Sequence, residues 1–283
     1  MNKKQVIKDM YLNLNSPTPY YFQLKELLLE AIKTGKLKPA QQIPTEQELC
    51  QQFNISRTVV RQAINELVSN GYLVTKKGKG TFVAKPKIRE NLFQNLSSNY
   101  QDMLARGIKL ITKVMEQEKC EAPPRISEIL KLQKNDFVIK IKRLRFIDNE
   151  PFTLTTSFIP YRICPLLLNE DLTNQSLYGL LEDKYRLKLY NGYRSCEAIL
   201  ANKKIAGLLK IQVGSPVMLL HSISYLKDGQ PIEYYEDFHR GDRSRCVVSL
   251  IRVKNYSEEF INKTSSSLLE TGIIINARSE NDL

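Results

Sequence analysis

A chain of 283 residues with 42% hydrophobic side chains is long enough for two cored domains, and it contains no apolar run approaching the roughly 18 residues of a membrane span. Its formal net charge is +12 and unevenly placed: residues 1–90 carry 15 Lys/Arg against 7 Asp/Glu, the remaining residues 27 against 23, so the first ninety suit a polyanionic partner. Five cysteines (Cys50, Cys120, Cys164, Cys196, Cys246) without a CxxC pair, beside two histidines, tell against a structural zinc site and suit free thiols in a reducing cytosol. The N-terminal stretch lacks the apolar core of a signal peptide, and a cytoplasmic protein off the membrane is expected.

Residues 1–16 read as an N-terminal extension with an apolar patch (Val6, Ile7, Met10, Tyr11, Leu12), interrupted by Pro17 and Pro19. A helix is predicted from about Tyr20, with Tyr21, Leu24, Leu28 and Ile32 at helical spacing on its buried side and Gly35 at its end. Pro39 and Pro44 keep the next segment extended. Thr45 and Glu48 have the spacing of a capping box at the start of a second helix, which buries Leu49 and Phe53 and breaks at Asn54. Ile55 plugs the turn, and Ser56 caps a third helix.

The third helix has two faces. Val60, Ala63, Ile64 and Leu67 recur at i, i+3, i+4 and i+7 and point inward. Arg57 and Arg61 sit four apart on an outer side, with Thr58, Gln62 and Asn65 nearby. A helix fits the major groove of B-DNA, where arginine can donate two bonds to guanine and glutamine can read adenine. Arg57 and Arg61 are the main expected contacts; which reads a base and which holds a phosphate stays open. Two strands, Tyr72–Thr75 and Thr81–Ala84, are expected around Lys76-Lys77-Gly78-Lys79-Gly80, a basic glycine-bearing tip that brings backbone and lysines close to phosphate. Lys79 is followed by glycine, not by Ser or Thr, so this is no nucleotide-binding P-loop. Residues 17–84 therefore read as a winged helix-turn-helix for duplex DNA.

Residues 85–95 are polar and read as a linker. Beyond them Phe137–Phe146 and Phe152–Ile159 alternate as strands around the turn Asp148-Asn149-Glu150-Pro151, and a similar hairpin spans Val217–Phe238 around Lys227–Pro231. Helices are expected at Tyr100–Ala105, at Ser176–Tyr185 (Tyr178, Leu181 and Tyr185 inward) and near Lys203–Lys210 (Leu208 and Leu209 inward). The fold class is α+β: an N-terminal winged helix-turn-helix, then an antiparallel sheet with helices on it over residues 96–252 and a C-terminal extension over 253–283. Arg143 and Arg145 share one face of a strand and can converge on an anion. Glu233 could accept hydrogen bonds from hydroxyls or an amine. Ser97, Ser98 and Asn99 precede a helix start that could hold a phosphate or carboxylate. Two solvent-facing arginines and an ordinary cap would satisfy the same pattern.

These residues resemble the GntR superfamily of bacterial transcription regulators, in its HutC-like branch. The N-terminal marks are Pro19–Leu24, Gly35–Pro39, Ile43–Glu46, Ser56-Arg57, Val60–Ala63 and Gly78–Val83. The C-terminal part resembles the UTRA effector domain at Arg143–Arg145, Asn149–Pro151, Phe158–Pro160, Ser176–Tyr178, Gly229–Tyr234 and Arg240–Arg243. The resemblance implies a dimeric regulator, usually a repressor, of a near-palindromic operator in double-stranded DNA. It implies no enzymatic activity and no cofactor, and an effector fold like that of chorismate lyase. Its effector would be a small anionic metabolite such as a sugar phosphate or amino sugar derivative. The implied DNA-binding set is Thr45, Glu46, Ser56, Arg57, Thr58, Arg61, Gln62, Lys77, Gly78, Lys79 and Gly80. The implied effector set is Ser98, Asn99, Arg143, Arg145, Thr155, Glu233 and His239. An activator or dual regulator would share this architecture. An enzyme using Arg143, Arg145 and Glu233 is the alternative of another class, though no nucleophile–base arrangement is visible.

The chain departs from the family pattern at several places. Ala40 replaces a usual glycine, and Val59 a frequent threonine. Asn99-Tyr100 replace a Phe-Thr pair. Thr155 stands where some sugar-phosphate binders are acidic, and His239 where they are often aromatic. The effector is therefore expected to differ from the N-acetylglucosamine phosphates.

Overall fold

The computed structural model describes residues 10–13, 15–76, 78–93, 96 and 99–250. Lys77, Ser98 and the side chain of Asn99, all expected contacts, lie outside the described residues, as do Val6 and Ile7 of the N-terminal patch and the whole extension 253–283. The chain divides into two compact units, Met1–Lys87 and Ile88–Leu283.

The first unit holds α1 (Tyr20–Lys33), α2 (Glu46–Phe53), α3 (Arg57–Ser69), β1 (Leu73–Lys76) and β2 (Gly80–Val83). Leu24, Leu28, Leu49, Val60, Ala63 and Leu67 form its core, which Leu73 and Val83 close. Tyr21 and Ile32 only lean on that core, and Ala31 is the buried residue of the last turn instead. The capping box is present: Thr45 Oγ1 accepts from Glu48 N at 3.2 Å, and Thr45 N donates to Glu48 Oε2 at 2.8 Å. Asn54 takes the left-handed conformation (φ 53°) that turns α2 toward α3, and Ser56 Oγ accepts from Val59 N. The wing strands sit one residue off the expected bounds, with Lys76 opposite Gly80; the slip lets Gly80 (φ 109°) take the bend out of the tip.

The second unit is built on one antiparallel sheet in the order β4-β5-β6-β9-β8-β7. Its strands are β4 (Ile111–Glu121), β5 (Phe137–Ile147), β6 (Glu150–Pro160), β7 (Leu189–Leu200), β8 (Pro216–Leu226) and β9 (Pro231–Arg240). Both expected hairpins are present. Asp148 and Asn149 both have positive φ (52° and 60°), the requirement of a two-residue hairpin turn whose twist matches its strands. The edge strands β4 and β7 were not expected: β7 is exposed or half-exposed throughout and offers no apolar alternation.

The helices on the sheet are α4 (Asn99–Ala105), α5 (Pro124–Ile129), α6 (Leu177–Gly179) and α7 (Lys203–Leu209). The expected helix Ser176–Tyr185 is a short α6, capped by Ser176, that widens into a π turn over Leu180–Lys184. The segment 85–95, expected as a linker, is a correction: Ile88–Glu90 form β3, which pairs in parallel with β10 (Ser244–Cys246). Its polar sequence conceals this because Glu90 is buried against a partner far away in the chain.

The two faces of the large sheet differ in chemistry. On one face Leu144, Leu154 and Phe238 meet α7, and Val138, Phe158 and Tyr234 meet α5. On the other, Ile139, Ile141 and Ile159 meet α6 and a 3-10 turn at Pro165–Asn169. The continuation of that second face is polar, and it positions the candidate site.

Ala40 has φ 63° while its N–H donates to Val83 O at 2.9 Å. A Cβ in that conformation costs about 1–2 kcal/mol, partly offset by the extra unfolded-state entropy of glycine, about 0.4–1 kcal/mol. Ala40→Gly is therefore expected to raise the thermal midpoint of the first unit, by a net stabilisation of about 0.5–1 kcal/mol in thermal or urea denaturation.

Candidate functional site

The first unit presents an exposed basic face on α3. Arg57 and Arg61 are 73% and 62% exposed, and both lean on one carboxylate: Arg57 Nε is 2.8 Å from Glu46 Oε2, and Arg61 Nε is 3.3 Å from Oε1. Glu46 stands at the start of α2 beside Thr45, so the turn itself brings all three charges together. Exposed pairs of this kind are weak, so the guanidiniums can leave Glu46 for a competing anion. Ser56, Thr58 and Gln62 are exposed on the same helix. At the wing, Gln42 Nε2 donates to Lys79 O at 3.0 Å, and Gly78 and Gly80 have positive φ, which leaves the Lys79 side chain exposed at the tip.

The second unit carries a buried polar lattice on the inner face of the sheet. Strand register sets it in rows. Thr112, Arg145, Thr153 and His239 stand abreast across β4, β5, β6 and β9. In the next row Arg143, Thr155 and Asp237 stand abreast, and in the next Ile141, Ser157, Tyr235, Ser222 and Arg194. Glu233 lies opposite Ser224. Arg143, Arg145, Thr155, Glu233 and His239, all expected from the sequence, are thus brought onto one face and buried.

The lattice is partly satisfied from within. Arg145 Nη1 donates to Thr155 Oγ1 (2.5 Å), Thr155 donates to Asp237 Oδ1 (2.8 Å), and His239 Nε2 lies 3.0 Å from Asp237 Oδ2. His239 Nδ1 contacts both oxygens of Glu90, at 3.1 and 3.0 Å. Tyr178 and Ser224 hydroxyls meet at 2.9 Å. Among the described residues, Arg143 Nε and Nη1, Arg145 Nε, Ser157 Oγ, Glu233 Oε2 and His239 Nε2 are buried without a hydrogen-bond partner, so the His239–Asp237 contact is an ion pair only.

The protonation states follow from these neighbours. Burial and the charge of Arg145 push Arg143 down to about 9, against the pull of Glu233 and Asp237; it remains a cation at neutral pH. Burial pushes Glu233 up, against the nearby Ser157 and Tyr178 hydroxyls and the Arg143 charge. Burial alone would lower His239, but Glu90 and Asp237 outweigh it and raise it to about 10. Asp237 is the converse: burial would raise it, and His239, with Arg145 and Thr155, holds it at about 2.

Sequence reasoning missed Asp237, Glu90, Tyr178 as a polar member, Ser157, Ser224 and Arg194. Asp237 was legible in principle, since it shares strand parity with Glu233 and His239. Glu90 and Arg194 carried no such signal. Among the described residues no group of three or more His, Cys, Asp or Glu side chains could hold a metal ion, and no helix is long and apolar enough to cross a membrane.

Residues 20–83 match the bacterial regulatory proteins of the gntR family, and residues 105–245 match the UTRA domain. The HTH-type transcriptional repressor NagR of Bacillus subtilis is 35% identical over 244 residues, covering 86% of this chain and all of that protein. The chain belongs to the GntR family. It is a DNA-binding transcription regulator with a UTRA effector domain, and the family is one of regulators, not of enzymes. The Probable fructoselysine utilization operon transcriptional repressor of Escherichia coli K12 is 31% identical over 81% of this chain and 93% of its own. The crystal structure of PhnF from Mycobacterium smegmatis shares the fold, with a TM-score of 0.57 at 24% identity over 83% of this GntR-family chain and 100% of that one.

The protonated His239 stabilises the fold fully below about pH 6.5, its unfolded value, and that contribution is lost as pH rises through about 10. Asp237 contributes above its ordinary value, and its contribution is lost as pH falls toward about 2. The difference in thermal midpoint between the wild-type protein and His239→Gln is therefore expected to be largest near pH 6 and to shrink steadily toward about pH 10. Differential scanning calorimetry across that range checks the sign.

Proposed function

We propose that this regulator is a cytoplasmic repressor that binds operator DNA as a dimer, and that a small anionic metabolite in the UTRA unit controls its hold on the operator. The observation that carries this reading is Arg143: a guanidinium only 3% exposed, with two nitrogens unpartnered among the described residues. A buried charge left so is costly, and an anionic ligand offsets the cost with charge-assisted hydrogen bonds. Glu233, with a free buried oxygen on the same face, takes a hydroxyl or amine of the same molecule. A ligand anionic at one end and hydrogen-donating at the other fits both, as in sugar phosphates and amino sugar derivatives. The effector is bound and released unchanged; no side chain is assigned a catalytic role. That two relatives are named as repressors supports the sign of the regulation.

On DNA, Arg57 and Arg61 are the reading pair, with Ser56, Thr58 and Gln62 beside them, Thr45 and Glu46 at the turn, and the wing from Lys77 to Gly80 on phosphate. In a dimer the two α3 helices would enter successive major grooves about 34–36 Å apart. Effector would act by favouring dimer geometries in which that spacing is lost.

Two measurements test this. A thermal-shift panel of sugar phosphates, amino sugars and small carboxylates, followed by operator titration at fixed salt, should yield a ligand that both stabilises the protein and weakens operator binding. Arg143→Ala should weaken that ligand by about 30-fold or more while ligand-free operator affinity holds; equal operator affinity with and without saturating ligand would refute the control. Separately, Arg57→Ala with Arg61→Ala should lower specific operator affinity by about 100-fold or more and flatten its salt dependence, with circular dichroism unchanged. Undiminished binding by the folded double variant would remove these arginines from the reading face.

A further inference from the structure

Resting on that reading of the effector site, we propose that His239 is the positioning residue that ties the site to β3, so that occupancy is felt in the strand directly following the DNA-binding unit. Five side chains form a line from the site: Arg145, Thr155, Asp237, His239 and Glu90, each no more than 4% exposed, with the Asp237–His239 step an ion-pair contact that is not aligned as a hydrogen bond. Its links are 2.5, 2.8, 3.0 and 3.0 Å long. The line starts at a guanidinium whose Nε is buried without a partner among the described residues. It ends on the last residue of β3, three positions after Lys87 closes the first unit.

β3 is poorly held by its backbone alone. It pairs with β10 over three residues, Ile88 with Ser244 to Glu90 with Cys246, and so short a ladder is marginal without side-chain ties. The Glu90–His239 contact is the buried, charged one. Arg194 gives a second tie from the same sheet face, donating to Leu92 O and, through Nε, to Ser222 Oγ at 3.3 Å.

The imidazolium of His239 is shared between two carboxylates, and the share can shift. An anion bound at Arg143 and Arg145 draws the Arg145 guanidinium from Thr155 and Asp237. Asp237, less compensated, then takes more of His239, and the Glu90–His239 contact weakens correspondingly. Occupancy loosens β3. A tyrosine or phenylalanine at position 239 could not carry this exchange, because it supplies no second charged nitrogen.

Hydrogen–deuterium exchange on the full chain decides the matter in two arms. Without ligand, His239→Gln and, independently, Glu90→Gln should speed exchange of the Ile88–Glu90 amides by about tenfold or more, with β5 and β6 unchanged. Combining the two substitutions, which leaves a neutral amide pair, should restore much of the protection. Unchanged protection of β3 in a folded single variant overturns the proposal, and Glu90→Gln serves if His239→Gln does not fold. With inorganic phosphate as the probe, β3 exchange should speed up in the wild type and not respond in His239→Gln. Silence of β3 while phosphate gives a thermal shift that Arg143→Ala abolishes also overturns the coupling. Absence of any Arg143-dependent shift overturns instead the anion-site reading and the ligand half of the proposal, while the ligand-free arm still decides whether His239 holds β3.

Discussion

The second unit is organised around two guanidiniums carried indoors. Arg143 and Arg145 occupy alternate positions on a central strand, so the pleat sends both to the same side. Central strands are paired along both edges and covered on both faces, so neither arginine can snorkel to water. Their neighbours across the sheet answer that constraint: Thr155, Asp237 and His239 on the Arg145 side, Glu233 on the Arg143 side. The answer is unequal. The Arg145 side closes on itself through Asp237, His239 and Glu90, whereas Arg143 keeps two unpartnered nitrogens among the described residues. Full internal satisfaction would give a stable domain with nothing left for a ligand to supply; the shortfall at Arg143 is the feature on which the proposed effector site rests.

The remainder of the unit keeps that face in register. The β5–β6 turn is stapled to the end of β9, with Arg243 Nη1 on Glu150 Oε2 at 2.8 Å and Arg240 Nη1 on Pro151 O at 3.0 Å. Gly241 is required at the same place, since a Cβ there would come within 2.6 Å of Pro216 O. A one-residue slip of β5 would send the arginines to the opposite face, into the apolar contacts of α5 and α7.

The local chemistry of the first unit was legible because it is short-range. A capping box, a helix break at Asn54 and a helical stripe of Val60, Ala63, Ile64 and Leu67 are all written within about four residues of their partners. The arginine pair and both hairpins of the second unit were legible for the same reason, as period-two alternation and a turn between them. What stayed hidden depends on distant partners. Glu90 reads as one more polar residue of a linker until His239 is placed beside it, and β7 lacks the alternation that marks a half-buried strand. The resemblance, in turn, mixed two roles. Arg143, Arg145 and Glu233 share the buried polar face, whereas Glu150, Arg240 and Arg243, among its marks, hold the turn.

The two units meet their anions in different electrostatic regimes. Arg57 and Arg61 are exposed and share one carboxylate in water, where pairs are cheap to make and to exchange. In the proposed reading mode a duplex would compete for them through many weak contacts and counterion release, so salt would act on that equilibrium steeply. Arg143 sits where screening by ions scarcely reaches, and in the proposed mode a single small anion would supply there what no side chain among the described residues does. Regulation by metabolite needs this asymmetry. The reading face must stay releasable, while the effector site must hold enough unspent electrostatic free energy for one small molecule to shift the population of conformations.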